Sequence, residues 1–90
     1  LTVEGPHVER EVALVKVQST GEKRVESLRI ADIFRARTVD STNVSFVFEI
    51  VGETGKLDAF INLMVPLGLI DVSRTGVAAI ARGVTVLEQD

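Results

Sequence analysis

A stretch near the start of the chain, Glu9 to Gln18, constrains the fold most strongly because both sides of its alternation are apolar. One side carries Ala13, Val15 and Val17, and the other carries Val12, Leu14 and then Lys16. A strand with one face in solvent shows one apolar and one polar side. The stretch therefore predicts a central strand in a sheet that needs cover on both faces.

Two helices and three further strands are predicted in the rest of the chain. A helix is expected over Lys23–Arg37, where no Gly or Pro interrupts a mixture of apolar and charged residues. A second helix is indicated by apolar residues at i, i+3, i+4 and i+7, namely Leu57, Phe60, Ile61 and Met64. Strands are expected over residues 38–41, 44–51 and 69–75, with a short apolar extension over 77–81.

The order strand, helix, strand, strand, helix, strand defines the predicted fold class. It is the split βαβ arrangement, an α+β fold with a four-stranded antiparallel sheet and two helices on one face. Right-handed crossovers place the first and third strands in the centre of the sheet. The alternation of the third strand is expected to turn Phe46, Phe48 and Ile50 toward the helices.

The composition excludes several classes of function. The chain has 90 residues, enough for one small domain, and its net charge of −3 disfavours nucleic acid and anionic membrane surfaces as partners. It has no Cys and a single His, His7, so it has no cysteine metal site and no nucleophile–His–acid set in the body of the domain. It shows neither an apolar run near the ~20 residues of a membrane span nor a signal peptide. We predict no catalytic, cofactor-binding or metal-binding residue and expect a cytoplasmic protein.

Two short motifs have a functional and a structural interpretation. Gly52–Lys56 ends in Gly-Lys before a helix and resembles a phosphate-binding loop, but it lacks the required spacing between glycines and the following Ser or Thr. Phe46-Val47-Phe48 resembles part of the aromatic motif of RNA-recognition modules, but both Phe residues share a side with Ile50. We interpret the first motif as a β-to-α turn and the second as core.

The sheet face away from the helices, here called the open face, is the first candidate interaction surface. It is expected to carry four aliphatic side chains, here called the aliphatic patch: Val12, Leu14, Val47 and Val51. Such a patch is too apolar to stay in water without a reason, so we predict that a second copy covers it and forms a homodimer. Lys16 is expected to share this face and to pair with Glu49.

Arginine side chains form a second set of candidates: Arg35, Arg37, Arg74 and Arg82. Each can be a solubilising surface residue or an anchor for a protein partner or an anionic ligand, because arginine is favoured in such interfaces.

Four blocks of the sequence resemble a known family. They are Glu9–Val17, Ala31–Arg37, Gly55–Phe60 and Ser73–Gly83, in the same order and spacing. Together they resemble the C-terminal domain of the small, regulatory subunit of acetolactate synthase, and the resemblance covers roughly residues 8–83.

The resemblance implies a ferredoxin-like, ACT-like C-terminal regulatory domain over residues 9–83. Residues 1–8 contain Gly5-Pro6 and show no periodicity, so we expect a linker from a missing preceding domain, and we expect residues 84–90 to form a tail. The resemblance implies that the missing domain is an ACT domain, which in the family carries the valine effector site. The implied partner is the catalytic large subunit, a thiamine diphosphate enzyme that condenses two 2-oxo acids. The small subunit activates it and confers feedback inhibition by valine.

We expect no enzyme activity in this chain, and no effector-binding residue can be assigned. The alternative is a stand-alone ACT-like domain that senses an amino acid or a nucleotide.

Overall fold

The strands and helices follow the predicted order, with one strand added at the end. The computed structural model describes the backbone of residues 7–81 and the side chains of residues 8–78. The elements are β1 (His7–Gln18), α1 (Gly21–Ile33), β2 (Arg37–Ser41), β3 (Ser45–Gly52), α2 (Thr54–Met64), a 3-10 turn (Val65–Leu67), β4 (Leu69–Arg74) and β5 (Ala78–Ala81).

The main sheet has the order β2-β3-β1-β4, and each neighbouring pair is antiparallel. The two central strands are therefore β1 and β3, as the crossover rule predicts. With two helices on one face, this layout confirms the predicted ferredoxin-like fold.

The core lies between the helices and the main sheet. From β1 and β3 it takes Ala13, Val15, Val17, Phe46, Phe48 and Ile50. From the helices it takes Ile30, Ala31, Leu57, Phe60 and Met64. Phe60 meets Phe48 edge-on at 6.0 Å between ring centroids, a favoured aromatic geometry. The prediction that the large side chains of β3 face the helices is confirmed.

Helix α1 ends four residues before its predicted end at Arg37. The N–H of Ala36 donates to the Ala31 carbonyl at 2.8 Å, and the N–H of Arg35 donates to the Asp32 carbonyl at 3.0 Å. These two bonds form a Schellman motif, in which the first residue after the helix C-cap takes a left-handed conformation. Here that residue is Arg35, with φ 57°. Sequence reasoning missed the stop because glycine usually marks it.

The beginning of β1 and the end of the described chain form a two-stranded ribbon. Residues 7–10 of β1 pair antiparallel with β5, from His7 opposite Ala81 to Arg10 opposite Ala78. The predicted apolar extension is thus a fifth strand, and β1 begins inside the segment predicted as a linker over residues 1–8. Residues 1–6, Arg82 and the predicted tail over 84–90 lie outside the described residues.

Candidate interaction surface

The four side chains of the aliphatic patch lie together on the open face. Val12 is paired with Val51 across the β1–β3 ladder, and Lys16 is paired with Val47. Leu14 lies between these two rows, diagonally next to both valines of β3. Leu14 and Val51 are each 43% exposed, while Val12 and Val47 are half-buried. The structure therefore groups the four aliphatic side chains around Glu49, which lies between Val47 and Val51 at the centre of the sheet.

Charged residues lie both beside and within the aliphatic patch. Lys16 lies opposite Val47 on one neighbour and opposite Asp71 on the other, while Glu49 lies opposite Leu14. The predicted pairing of Lys16 with Glu49 is therefore wrong, although both share the open face. Alternation fixes the face of a residue, whereas its cross-strand partner depends on register. Glu49 instead pairs with Arg37 of β2, with 3.6 Å between Nη2 and Oε1.

Arg74 lies in an ion-pair cluster that joins three elements. Its Nη2 donates to Glu11 of β1 at 2.5 Å, and its Nη1 donates to Asp58 of α2 at 2.6 Å. Glu11 is only 6% exposed, and it also accepts a hydrogen bond from the Gly76 N–H at 3.2 Å. A buried carboxylate requires such partners. The chain thus uses this guanidinium internally, and the role of Arg74 as a partner contact stays a prediction.

The ion pair between Glu11 and Arg74 shifts the pKa of both residues. The hydrogen bond from Arg74 lowers the pKa of Glu11 below its usual value, against the opposing effect of burial. The bonds to Glu11 and Asp58 raise the pKa of Arg74. Glu11 and Arg74 therefore both remain charged at neutral pH.

The turn between β4 and β5 is held next to the cluster by two hydrogen bonds between Thr75 and the backbone of Val12. The Val12 N–H donates to the Thr75 Oγ1 at 3.1 Å, and the Thr75 N–H donates to the Val12 carbonyl at 3.0 Å. The motif Ser73-Arg74-Thr75-Gly76 thus fixes this turn on β1. Sequence reasoning missed Glu11 as the partner of Arg74. The available signal was a carboxylate directly before the apolar run Ala13, Val15 and Val17 on the same side of β1.

The other candidate arginines have separate positions. Arg35 ends α1 and is exposed, Arg37 pairs with Glu49, and Arg82 lies outside the described residues. Of the described arginines, Arg37 lies opposite Glu49 on the open face and Arg74 lies opposite Ala13 on the helical side, so these two do not share a face.

The two motifs with alternative interpretations have structural roles. In the β3–α2 turn, Lys56 folds back so that its Nζ donates to the Val51 carbonyl at 3.1 Å. Phe46 and Phe48 are buried beneath the helices, so neither ring is available for stacking on a base.

No cluster of three or more His, Asp or Glu residues that could hold a metal ion occurs within the described part of the chain. Neither of its two helices has the length and apolar character to cross a membrane.

Comparisons with known proteins identify the family. The model of the family described as the small subunit of acetolactate synthase matches residues 10–83. The chain is 40% identical over 86 residues to the acetolactate synthase small subunit of Aquifex aeolicus, covering 94% of this chain and 45% of the relative. It is 45% identical over 76 residues to the probable acetolactate synthase small subunit of Archaeoglobus fulgidus, covering 84% of this chain and 48% of the relative.

A solved structure gives the same result. The crystal structure of the acetolactate synthase small subunit from Thermotoga maritima matches with a TM-score of 0.81 and 35% identity, over 89% of this chain and 49% of that one. The chain therefore spans about half the length of the relatives that it matches. The resemblance seen in the four sequence blocks is confirmed: the chain belongs to the family of acetolactate synthase small subunits, the regulatory rather than the catalytic subunit of that enzyme.

Proposed function

We propose that this chain is an interaction domain of an acetolactate synthase small subunit and that it pairs with a second copy through the open face. In this role it helps to activate the thiamine diphosphate catalytic subunit and to transmit feedback inhibition by valine. The observation that carries the proposal is the uncovered aliphatic patch on a sheet whose other face is packed by helices.

The free energy available from the aliphatic patch is appreciable. Complete burial of a leucine side chain is worth about 1.5–3 kcal/mol, and Leu14 still exposes 43% of its surface. Covering this remainder contributes ~0.7–1.3 kcal/mol, and a two-fold axis doubles the contribution because each copy supplies the same residue. Val12, Val47 and Val51 add smaller amounts of the same kind. A dimer in which these residues meet is therefore physically reasonable.

The regulatory part of the proposal rests on family membership. The relatives carry the name of the small subunit of acetolactate synthase, and this chain corresponds to about half of each. A domain of this kind can change the activity of a large subunit only through contacts that differ between two states. The open face and the exposed arginines Arg35 and Arg37 are the surfaces that we assign to such contacts.

The homodimer is tested by charging the centre of the open face. Leu14→Glu should raise the dimer dissociation constant at least a hundredfold, because association would bury an unpaired carboxylate. The control is Val25→Glu, which changes a 68% exposed residue of α1 on the helical side of the sheet. Sedimentation measures the association, and circular dichroism checks that each variant is folded. A wild-type chain that stays monomeric at high concentration contradicts the proposed homodimer.

The regulatory role is tested by adding the chain to its cognate catalytic subunit. Alone, the chain should form no acetolactate and should show no saturable heat with valine. With the catalytic subunit, it should raise the rate only weakly, because it represents about half of the matched small subunits. Acetolactate formed without any catalytic subunit, or micromolar binding of valine, would overturn this assignment.

One observation favours the sensing alternative as a second candidate. A cavity of about 330 Å³ opens near the β1–α1 turn and is lined by residues that include Ser19, Thr20 and Gly68. The Ser19 hydroxyl is buried and makes no hydrogen bond within the described residues. A thermal-shift screen with amino acids and nucleotides tests this candidate, because a ligand selective for the folded state raises the melting temperature. Absence of a saturable shift with every compound rules the candidate out for these ligands.

A further inference from the structure

The β1–β5 ribbon, which consists of residues 7–10 and 78–81, lies outside the four-stranded pairing of the main sheet. In the described part of the chain, residues 7–10 pair with β5 alone. Strand β1 pairs with β3 from Glu11 onward and with β4 from Ala13 onward. Separating the two strands of the ribbon would therefore leave the order β2-β3-β1-β4 and its pairing unchanged.

The ribbon buries little apolar surface. Val8 is 39% exposed, and Val77, directly before β5, is 52% exposed. Arg10 and Ala78 lie opposite each other and are exposed as well. A two-stranded ribbon is only marginally stable by itself. Segments with few buried apolar contacts open locally at a lower free energy than the whole domain. Whether this ribbon stays closed therefore depends on the bonds at its base.

Glu11 lies at the base of the ribbon and connects it to the main sheet. It is the first residue of β1 that pairs with β3, and its side chain is buried. Its Oε1 accepts a hydrogen bond from the Arg74 Nη2, and its Oε2 accepts one from the Gly76 N–H at 3.2 Å. Arg74 ends β4, whereas Gly76 lies in the turn that leads to β5. A single carboxylate thus joins the turn to the main sheet.

The bond from Gly76 is the last contact of this turn before β5 begins. Thr75 is bonded to the backbone of Val12 at the neighbouring position of β1. Gly76 has φ 83°, in the left-handed region, and glycine changes its backbone angles more easily than other residues. The chain can therefore bend at Gly76 and carry β5 away while Thr75 stays in place.

Opening the ribbon in this way would remove one partner from the Glu11 carboxylate. The bond from Gly76 would be lost, while Arg74 would remain beside Glu11 because both belong to the main sheet. Hydrogen bonds to a charged group are stronger than those between neutral groups. The loss of this bond therefore favours the closed ribbon.

We propose that the β1–β5 ribbon opens as a unit while the main sheet stays folded, and that the Glu11 carboxylate is the latch that holds the ribbon closed. Opening frees the backbone groups that residues 7–10 and 78–81 now pair with each other. The inference does not rest on the proposed homodimer, because every contact that carries it lies within one chain.

The opening is tested by hydrogen exchange of the folded 90-residue chain at several urea concentrations below the unfolding transition. The hydrogen-bonded amides of residues 7–10 and 78–81 should be at least tenfold less protected than the slowest amides of β1 and β3 in the main sheet. Their protection should also depend less on urea, because a local opening exposes less surface than global unfolding. Equal protection and equal urea dependence in both regions would overturn the proposal.

The latch is tested by a matched pair of substitutions. Glu11→Gln should lower the protection of the ribbon amides at least tenfold, because glutamine has one acceptor oxygen and no charge to offer Arg74 and Gly76. The control Glu49→Gln changes a carboxylate of β3 opposite Leu14 and should leave the ribbon amides as protected as in the wild type. Unchanged ribbon protection in Glu11→Gln would show that this carboxylate is not the latch.

A core substitution separates local opening from global unfolding. Phe60 is buried and contacts the Phe48 ring, so Phe60→Leu should weaken the folded domain and lower the protection of the main sheet. The ribbon amides should keep their wild-type protection, because the core stays packed when the ribbon alone opens. A similar loss of protection in both regions would mean that the ribbon opens only when the whole domain unfolds.

Discussion

Replacing Gly68 by alanine tests how the end of β1 is joined to the start of β4. Gly68 has φ 108°, a backbone conformation that side chains with a Cβ rarely adopt. An added Cβ would lie 2.0 Å from the Gln18 carbonyl oxygen, which belongs to the backbone and cannot rotate away. The Gln18 N–H also donates to the Gly68 carbonyl at 2.8 Å, so separating the two segments would break a hydrogen bond.

The expected loss of stability has two parts. Backbone strain at such a φ costs about 1–3 kcal/mol, and forcing extra volume into a close contact costs about 1–3 kcal/mol more. A domain of this size has a total stability of about 5–13 kcal/mol. Gly68→Ala should therefore lower the free energy of unfolding by ~2–6 kcal/mol and the melting temperature by at least about 10 °C.

The matched control is Gly55→Ala in the first turn of α2. Nothing lies within 4 Å of a Cβ added at Gly55, and its φ is outside the left-handed range. Alanine there should stabilise the domain by about 0.4–1 kcal/mol, because it restricts the unfolded chain. Urea unfolding followed by circular dichroism measures both variants. A Gly68→Ala midpoint equal to that of the wild type would refute the close approach of the two backbones.

Two further predictions concern charged groups in the fold. The pKa of Glu11 is lower in the folded chain, so this carboxylate stabilises the domain above about pH 4.5 and the contribution is lost as the pH falls through the folded pKa. Between about pH 5 and pH 3, the Glu11→Gln variant should therefore lose less unfolding free energy than the wild type. Urea titrations at both pH values measure this loss. An equal loss in the variant and the wild type would contradict the prediction. The Arg24 guanidinium carbon lies 3.9 Å from the centroid of the Phe46 ring, so Arg24→Met should cost about 0.5–2 kcal/mol. Arg24→Lys is the control that retains the positive charge, and a Met variant as stable as the wild type would count against the cation–π contact.

Much of the fold could be predicted because its signals are local. Apolar residues on both sides of β1 predict a central strand, and the spacing of Leu57, Phe60 and Met64 predicts α2. Alternation also assigned the residues of the aliphatic patch to the open face. These signals depend only on the direction in which successive side chains point, which is fixed by the geometry of a helix or a strand.

The remaining features depend on residues far apart in the chain. Glu11 meets Arg74 across 63 positions, and β5 finds its partner at the beginning of β1. Neither alternation nor propensity contains such information. The wrong pairing of Lys16 with Glu49 has the same origin, because alternation does not determine register.

The sequence by itself therefore determined which elements form and which side of each strand is apolar, because the two-residue and 3.6-residue periods are properties of the local backbone. Only the tertiary structure decided the register of β1 with β3, the Glu11–Arg74–Asp58 cluster and the β1–β5 ribbon. These features depend on how distant parts of the chain pack around one core. Shifting the register of a strand by two residues leaves each side chain on the same face of the sheet but changes all of its cross-strand partners.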